Sequence, residues 1–396
     1  MGPLNGVKVL GFTHFAQAPF ALQLLGDLGA DVINIERPGT GDFNRTHLSE
    51  PDRLGGESPY FLALNRNKRS LSLDMKQEKA KEIIRKLVAK TDVLVTNFRP
   101  GVLDKLGFGF EEVKKLNPTI IYAEAVGYGS SGPYAKLPGQ DFLAQCMSGY
   151  TTIVGPEGPP VSGGTFLIDM YSSAMLSNGI QAALINKMKG GKAQKVEVNL
   201  LNSALHLQCQ EMSYYLNTGE MPKRPKGFSS QTHSEAPYGI YKTKNGYMGI
   251  SNVPPEKVEL FGKIIGVEGL PALMPSKSVM LKNRDEIYPL VAVGIEKQDT
   301  EYWLEQLQAE GFWCTKVKYY DEVVKDPQVV YNKIIQHIDH PTAGDIQVVA
   351  CPISFSETPA EIHRAPPLLG ENNQDILTEL GYSEQEIADY QKEGLF

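Results

Sequence analysis

The chain has 396 residues, more than one hydrophobic core usually serves, so we expect two domains. Hydrophobic residues make up 41% of the sequence and charged residues 21%, which is typical of a globular protein. The formal net charge of -7 argues against nucleic acid or an anionic membrane as the main partner.

The four cysteines are far apart and form no CxxC pair: Cys146, Cys209, Cys314 and Cys351. This spacing argues against a zinc site or a disulfide framework and favours a reducing compartment. The first residues, MGPLNGVKVLGF, lack the charged start and apolar run of a signal peptide. No apolar stretch approaches the ~18–20 residues of a membrane-spanning helix. We therefore expect a cytoplasmic protein with no membrane partner.

The first third of the chain alternates between strand-like and helix-like segments. Strands are predicted at 7–12, 31–36, 92–98 and 119–126, and helices at 17–29, 77–90 and 110–116. This alternation is typical of βαβ units and predicts an α/β fold with a mostly parallel sheet. Ligands of such sheets bind at the carboxyl ends of the strands. The loops that follow the predicted strands are therefore the expected binding edge.

The pattern changes in the rest of the chain. Helices are predicted at 170–189, 199–216, 255–266, 283–296, 299–309 and 327–337, and a β-hairpin turns at Asn245-Gly246. We interpret residues 228–325 as a smaller α+β domain. Residues 1–200 and 340–396 would form the large domain, joined to it by a helix and linker at 201–227 and a return linker at 326–339.

Two short motifs suggest sites that their surroundings do not support. GYGSSG at 127–132 matches the GxGxxG pattern of dinucleotide sites, which require a helix to begin at the loop. The following PYAKLPGQD has two prolines and no helical spacing, so we predict a turn-rich loop. HIDH at 337–340 has no obvious third ligand, and we interpret its histidines as a surface pair without a metal.

Five basic residues lie at or near predicted strand ends: Arg37, Lys68, Arg69, Arg99 and Lys105. Arginine offers a two-pronged donor and lysine a point charge, so the group suits a multiply phosphorylated ligand. Scattered solvated surface charge explains the same residues equally well.

Asp169 is the single charged residue in TFLIDMYSSA, residues 165–174. The helical pattern begins at Met170, which places Asp169 at the N-cap, where aspartate is favoured for structural reasons. The same position would keep the carboxylate ionised through backbone N–H groups and the helix dipole. An ionised carboxylate in a water-poor pocket can act as a nucleophile and form a covalent intermediate. These residues alone leave both interpretations open.

Six segments carry a further signal: GVKVLGFTHFAQAP, LGADVINIERPGTGD, NKRSLSLDMK, NFRPGVLDKLGFGFEEVKKLNP, GGTFLIDM and RAPPLLGENNQDIL. Together, and in this order, they resemble the family III CoA-transferases, the group of formyl-CoA transferase and carnitine CoA-transferase. LPGQDFLAQCMSGY and YYLNTGEMPKRPKG resemble the carnitine branch more than the formyl one. The resemblance implies a split Rossmann-like large domain and a small domain, in an interlocked homodimer.

The resemblance also implies the reaction. Asp169 would be the nucleophile of an acyl-CoA:carboxylate CoA-transferase, forming an aspartyl anhydride and then an aspartyl-CoA thioester. The substrates would be an acyl-CoA and a small carboxylic acid, with no permanently bound cofactor.

By the same resemblance, a CoA site is implied at Ala16, Arg37, Leu73, Lys76, Asn97, Phe98, Arg99 and Lys105. Gln17 and Asp141 are implied as possible support for catalysis. The formyl enzyme's loop glutamine aligns with Ala16, one place before Gln17, so this sequence departs from the formyl pattern at that position.

Two departures from the family pattern bear on the substrate and the reaction. GFSSQTHSEAPYG, at 227–239, replaces the glycine-rich loop of the formyl enzyme, which argues against formyl-CoA and oxalate. Gln140 stands where related α-methylacyl-CoA racemases have a histidine, and glutamine cannot exchange a proton near neutral pH. A racemase and a CoA-binding subunit without its own activity remain alternatives.

Overall fold

A computed structural model describes residues 2–47 and 52–396. The strands are β1 (Lys8–Phe12), β2 (Asp31–Glu36), β3 (Lys68–Ser72), β4 (Val93–Thr96), β5 (Ile121–Val126), β6 (Gln194–Asn199), β7 (Gly239–Lys242), β8 (Tyr247–Asn252), β9 (Trp313–Lys316), β10 (Ile335–His340) and β11 (Gly344–Val349). The helices are α1 (Gln17–Asp27), α2 (Pro59–Leu64), α3 (Glu78–Ala89), α4 (Val102–Leu106), α5 (Phe110–Leu116), α6 (Asp141–Met147), α7 (Leu167–Met188), α8 (Leu200–Leu207), α9 (Cys209–Thr218), α10 (Val258–Ile265), α11 (Leu270–Leu273), α12 (Lys277–Lys282), α13 (Arg284–Ile295), α14 (Thr300–Ala309), α15 (Tyr320–Val323), α16 (Pro327–Tyr331), α17 (Asn373–Glu379) and α18 (Glu384–Lys392). Among these described helices, none has the length and apolar character needed to cross a membrane.

Six parallel strands form the main sheet, in the order β3-β2-β1-β4-β5-β6. The chain runs outward from β1 to β3 and then returns to the other side of β1 with β4. The strand order therefore reverses between β1 and β4, which is where ligands bind in sheets of this kind. The predicted α/β class is confirmed, with two small antiparallel sheets in addition, β7-β8-β9 and β10-β11.

Helices cover both faces of the main sheet. Val9 and Leu10 are neighbours in β1 and point into different cores, because successive side chains of a strand alternate in direction. Val9 packs with α1 and α7, for example with Leu25, whereas Leu10 packs with α3 and α17, for example with Ile84 and Ile376. Burial on both faces explains why the central strands are almost entirely apolar.

The chain divides into two compact units. The first comprises Met1–Ala144, Phe166–Ala204 and Pro327–Phe396 and contains the main sheet. The second comprises Gln145–Thr165 and Leu205–Asp326 and contains the β7-β8-β9 sheet. The second unit has a hydrophobic core of its own, built around Tyr241, Phe261 and Trp303.

The C-terminal segment returns to the first unit and covers its edge strand β3. The side-chain oxygen of Asn372 accepts a hydrogen bond from Ser70 N at 3.0 Å, and that of Asn373 accepts one from Ser72 N at 2.8 Å. These amide side chains satisfy backbone donors that an edge strand would otherwise expose.

Lys68 and Arg69, for which the sequence left ligand contact and surface charge open, have structural roles. They lie at the start of β3, at the opposite edge from the carboxyl ends of the strands. Lys68 Nζ is buried and donates to Asn65 Oδ1 at 2.6 Å, and burial lowers its pKa to about 7. Arg69 is paired with Asp31 at 2.6 Å and with Glu379 at 2.7 Å. Both side chains are buried and held by partners within the chain, so neither the phosphate contact nor the solvated surface charge that the sequence left open describes them.

Several local predictions need correction. Strands β3 and β6 were not predicted, because their sequences KRSLS and QKVEVN are rich in polar residues. The helix predicted at 327–337 ends at Tyr331, and the chain then forms β10. His337 is exposed beside Asp345, but His340 is buried, so the predicted surface pair is wrong for His340. GYGSSG lies in a loop, as predicted, with bends within 127–132 and a turn that begins at Pro133.

A buried ion pair links α1 to the start of β3. Arg66 Nη2 lies 2.7 Å from Asp27 Oδ2, and both side chains are at most 2% exposed. Arg85 and Glu78 form a pair of the same length at the surface of α3. The two pairs have the same chemistry and differ in burial.

We expect Arg66→Ala to lower the free energy of unfolding by about 3–5 kcal/mol, because it leaves a buried carboxylate without its partner. Chemical denaturation followed by circular dichroism measures the loss. The matched control, Arg85→Ala, should leave the unfolding midpoint unchanged, since water solvates Glu78. Equal shifts for both variants would contradict this prediction.

Candidate active site

Asp169 lies in the first turn of the long helix α7. The helix begins at Leu167, with Phe166 at the N-cap, so the predicted N-cap position of Asp169 is wrong. Asp169 is instead the third residue of the helix, and its side chain is half-buried. No hydrogen bond from the described part of the chain reaches its carboxylate.

The capping role belongs to Asp141, the first residue of α6. Its buried side chain places Oδ2 2.6 Å from Ile168 N and 2.9 Å from Asp169 N, and accepts a hydrogen bond from each. The first N–H groups of a helix have no partner within the helix, so an acceptor from elsewhere stabilises its start. Asp141 therefore supports the turn that carries Asp169.

The environment of Asp169 favours the protonated form of its carboxyl. Burial first, and then the negative charge of Asp141, raise the pKa of Asp169 to about 7. The expectation that helix N–H groups would keep this carboxylate ionised is not met, because Asp141 accepts those hydrogen bonds. Near neutral pH about half of the Asp169 carboxyls are ionised, poorly solvated and more basic than usual.

The loop after β1 is held from both neighbouring strands. On the β4 side, Asn97 Nδ2 donates to His14 O at 2.6 Å, and Asn97 Oδ1 accepts from His14 N at 3.0 Å. On the β2 side, Asp42 Oδ1 accepts from Phe15 N at 3.3 Å and Asn44 Nδ2 donates to Phe15 O at 2.7 Å. These bonds hold Phe15 at a φ of 64°, which is unfavourable for a bulky residue and is found where a loop has a functional shape.

Gln17 lies beside the first turn of α7. Ser173 Oγ is 2.5 Å from Gln17 O and 2.6 Å from Asp169 O, which brings the start of α1 to the nucleophile candidate. The Gln17 side chain is buried, and its Nε2 has no hydrogen-bond partner among the described residues. The structure therefore brings Asp169, Asp141 and Gln17 into one region, with an amide donor of Gln17 unused.

The residues predicted to bind CoA follow the first four strands of the sheet in the chain. Ala16 follows β1, Arg37 follows β2, Leu73 and Lys76 follow β3, Asn97, Phe98 and Arg99 follow β4, and Lys105 lies in α4. Because these strands are parallel, the loops lie along one edge of the sheet. The cationic members of the set, Arg37, Lys76, Arg99 and Lys105, are exposed.

The other residues predicted to bind CoA contact neighbouring parts of the protein. The Leu73 side chain belongs to the hydrophobic core, so only its backbone is left for a ligand. Asn97 holds His14, as described above, and the Phe98 ring lies 5.5 Å from the His14 ring. Ala16 is half-buried and precedes α1.

A row of aromatic rings lies at this edge and was not predicted from the sequence. Ring centroids lie 4.6 Å apart for His14 and Phe15, 4.7 Å for Phe15 and Phe43, 5.1 Å for Phe43 and His47, and 5.9 Å for His47 and Tyr60. Three of these rings are more than 40% exposed: Phe15, Phe43 and Tyr60. A contiguous exposed apolar surface indicates a binding surface. Its members are scattered along the sequence, so no local motif revealed it.

Comparison with known proteins identifies the family of this chain. Residues 4–373 match the model of the CoA-transferase family III. The chain belongs to the family III CoA-transferases. The resemblance noted in the sequence is therefore confirmed, and this CoA-transferase is an enzyme of the class that takes CoA thioesters as substrates.

Named relatives cover almost the whole CoA-transferase chain. It is 34% identical to the human succinyl-CoA:glutarate CoA-transferase, over 99% of this chain and 90% of the relative. It is 32% identical to the formyl-CoA:oxalate CoA-transferase of Bradyrhizobium diazoefficiens, over 99% of this chain and 96% of the relative. The crystal structure of a CAIB/BAIF family protein from Brucella suis superposes with a TM-score of 0.84 at 30% identity, covering 96% of this chain and 99% of that one.

We expect Asp141→Ala to loosen the start of α7, because Ile168 N and Asp169 N lose their acceptor. The loss of a cap is worth about 1–2 kcal/mol, so amide exchange in the first turn should become about 5–30-fold faster. Hydrogen–deuterium exchange of the peptide that contains Asp169 measures this. Asp141→Asn keeps a side-chain oxygen as acceptor and should exchange nearly as slowly as wild type. Equal exchange in all three proteins would show that Asp141 does not stabilise the turn.

Proposed function

We propose that the chain is an acyl-CoA:carboxylate CoA-transferase that uses Asp169 as its covalent nucleophile. The observation that carries this proposal is the Asp169 carboxylate itself, poorly solvated and without a hydrogen-bond donor among the described residues. A carboxylate without hydrogen bonds keeps its electron pairs available for attack on a carbonyl. The names of the relatives given above describe transfer of CoA between carboxylic acids.

The reaction proceeds through Asp169 in four steps. The carboxylate attacks the thioester carbonyl of the acyl-CoA, and the C–S bond breaks to give a mixed anhydride and CoA thiolate. The thiolate attacks the aspartyl carbonyl and releases the first acid, which leaves an aspartyl-CoA thioester. The carboxylate of the second acid attacks this thioester and expels the thiolate. The thiolate finally attacks the acyl carbonyl of the new anhydride, which forms the new acyl-CoA and regenerates Asp169.

Two neighbours support these steps. Asp141 holds the turn that carries Asp169. Burial, and then the charge of Asp141, raise the pKa of the Asp169 carboxyl, which makes its ionised fraction a stronger nucleophile. Each carbonyl addition places negative charge on an oxygen, which needs a donor nearby. Gln17 Nε2, buried and without a partner among the described residues, is the side-chain donor we assign to that task.

The carboxyl edge of the main sheet is the proposed CoA site. Arg37, Arg99 and Lys105 are exposed there and supply the cations that phosphate groups require. Backbone at Leu73 and Lys76, and the loop held by Asn97, would line the nucleotide and its pantetheine arm.

A homodimer is part of the proposal. The chain exposes large apolar side chains that a second copy would cover, among them Leu216 in α9 at 71% and Tyr331 in α16 at 80%. Light scattering of the purified protein tests the dimer. Turnover by the purified protein alone would exclude the alternative that the chain is a CoA-binding subunit without activity of its own. Solvent deuterium at the α-carbon of an acyl-CoA, without a second acid, would instead favour a racemase.

We expect a covalent mark on Asp169 when the enzyme is incubated with acyl-CoA and then with hydroxylamine. Hydroxylamine cleaves the anhydride or thioester and leaves a hydroxamate on the aspartyl peptide, which mass spectrometry detects. Asp169→Asn should lose the mark and at least about 10³-fold in kcat, because the amide is not a nucleophile of this kind. An unmarked wild-type peptide together with full activity of Asp169→Ala would refute the assignment.

We expect the rate of Asp169 acylation to rise about tenfold per pH unit below pH 7 and to level off above it, because only the ionised carboxyl attacks. The pKa of about 7 for Asp169 sets the pH at which the rate stops rising. Asp141→Asn removes a negative charge that raises this pKa. The rising part of the pH–rate profile should therefore move to lower pH in this variant. Single-turnover rates across the pH range measure both profiles. Glu111→Gln changes an exposed carboxylate of α5 and is the control. It should leave the pH dependence of the acylation rate unchanged.

A further inference from the structure

The motif GYGSSG at 127–132 begins with a glycine in an unusually close contact. Gly127 directly follows β5, and Gly139 lies two residues before Asp141, at the other end of the same loop. A Cβ atom at Gly127 would lie 2.6 Å from Gly139 Cα, and one at Gly139 would lie 2.4 Å from Gly127 Cα. Carbon atoms in contact are ~3.5–4.0 Å apart, so neither position has room for a side chain. The two ends of the loop therefore touch through their backbones.

This contact, and not the backbone conformation, requires glycine at both positions. Neither Gly127 nor Gly139 has a left-handed φ, which is the usual reason for a glycine in a loop. Gly129 and Gly132 of the same motif, by contrast, have φ values of 114° and 88° and shape the loop itself. Close approach of two backbones is the other situation in which only glycine fits.

One side of the contact is fixed by the main sheet. Strand β5 pairs with β4 on one side and with β6 on the other. Leu201 N also donates to Gly127 O at 3.1 Å. A side chain at either glycine would therefore displace the segment before α6 rather than the end of β5.

The other side of the contact leads directly to Asp141. This residue is buried and is the first of α6, two positions after Gly139. Its Oδ2 lies 2.6 Å from Ile168 N and 2.9 Å from Asp169 N. All of these residues belong to the first compact unit. A hydrogen bond weakens steeply when its geometry is distorted, so the position of Gly139 decides how well Asp141 accepts these two bonds.

We propose that Gly127 and Gly139 are positioning residues, which set the place of Asp141 and through it the reactivity of Asp169. A series of contacts then leads from the main sheet to the nucleophile, through the two glycines, Asp141 and the first turn of α7. This inference rests on the proposed CoA-transferase reaction and adds two residues that act on it only through Asp141.

The first test is a double-mutant cycle, measured by hydrogen–deuterium exchange of the peptide that contains Asp169. Gly139→Ala should speed amide exchange in the first turn of α7 about 5–30-fold, as for loss of its cap. Combined with Asp141→Ala, it should cause no further change, because both substitutions disrupt the same hydrogen bonds. A merely structural role of Gly139 would instead add its effect to that of Asp141→Ala. Gly249→Ala is the matched control and should leave the exchange unchanged, because its Cβ would lie 3.9 Å from Thr315 and its φ is not left-handed.

The second test follows the pH dependence of Asp169 acylation. Moving the Asp141 charge away favours the ionised form of Asp169, so Gly139→Ala should move the rising part of the pH–rate profile to lower pH. The shift should not exceed that of Asp141→Asn, which removes the charge completely. Gly127→Ala adds its methyl group from the other side of the same contact and should reproduce both changes. A folding defect of one variant therefore does not decide the result.

Three outcomes overturn the proposal: unchanged exchange in both glycine variants, exchange effects that add to those of Asp141→Ala, or an unmoved pH–rate profile. Exchange requires no turnover, so it tests the glycine contact even if no covalent mark forms on Asp169. An unmarked Asp169 would refute the proposed function, whereas additive exchange effects would refute the positioning role. The two failures are thus distinguishable.

Discussion

Two hydrogen bonds to a single oxygen of Asp141 organise the candidate active site. They satisfy N–H groups at the start of a 22-residue helix and bring one buried negative charge close to another carboxyl. Burial, and then the negative charge of Asp141, disfavour the ionised form of the Asp169 carboxyl and make it more basic. Asp141 accepts those hydrogen bonds, and Asp169 is left with a raised pKa and an accessible electron pair.

The sheet order explains why this helix meets a binding edge. The reversal between β1 and β4 leaves the loop after β1 with a strand on each side, and side chains from both sides hold it. Asn97 holds His14, and Asp42 and Asn44 hold Phe15 in an unfavourable backbone conformation. The loop then leads into α1, whose first residue contacts Ser173 of α7. A strained loop between two fixed neighbours is a stable platform for a ligand, because its shape does not depend on the ligand.

Sequence patterns identified the central strands and failed at the edges. β1, β2, β4 and β5 are apolar and buried on both faces, so their sequences are unambiguous. β3 begins with Lys68 and Arg69, which look like surface charge until the partners that accept their hydrogen bonds are known. β6 is the other edge strand and alternates polar with apolar residues. Contacts with residues distant in sequence therefore determine that these two segments are strands, which their local sequence pattern does not reveal.

By itself, the sequence determined the α/β class and the family, and it singled out Asp169 as the nucleophile that we propose. Hydrophobic periodicity acts over a few residues, and the family segments are local strings, so both can be recognised without a structure. Only the tertiary structure decided how Asp169 is held and charged. Its capping partner lies 28 residues away, and the desolvation that raises its pKa comes from packed neighbours. The same holds for the unused amide donor of Gln17, because a missing hydrogen bond becomes visible only when every neighbouring group has been placed.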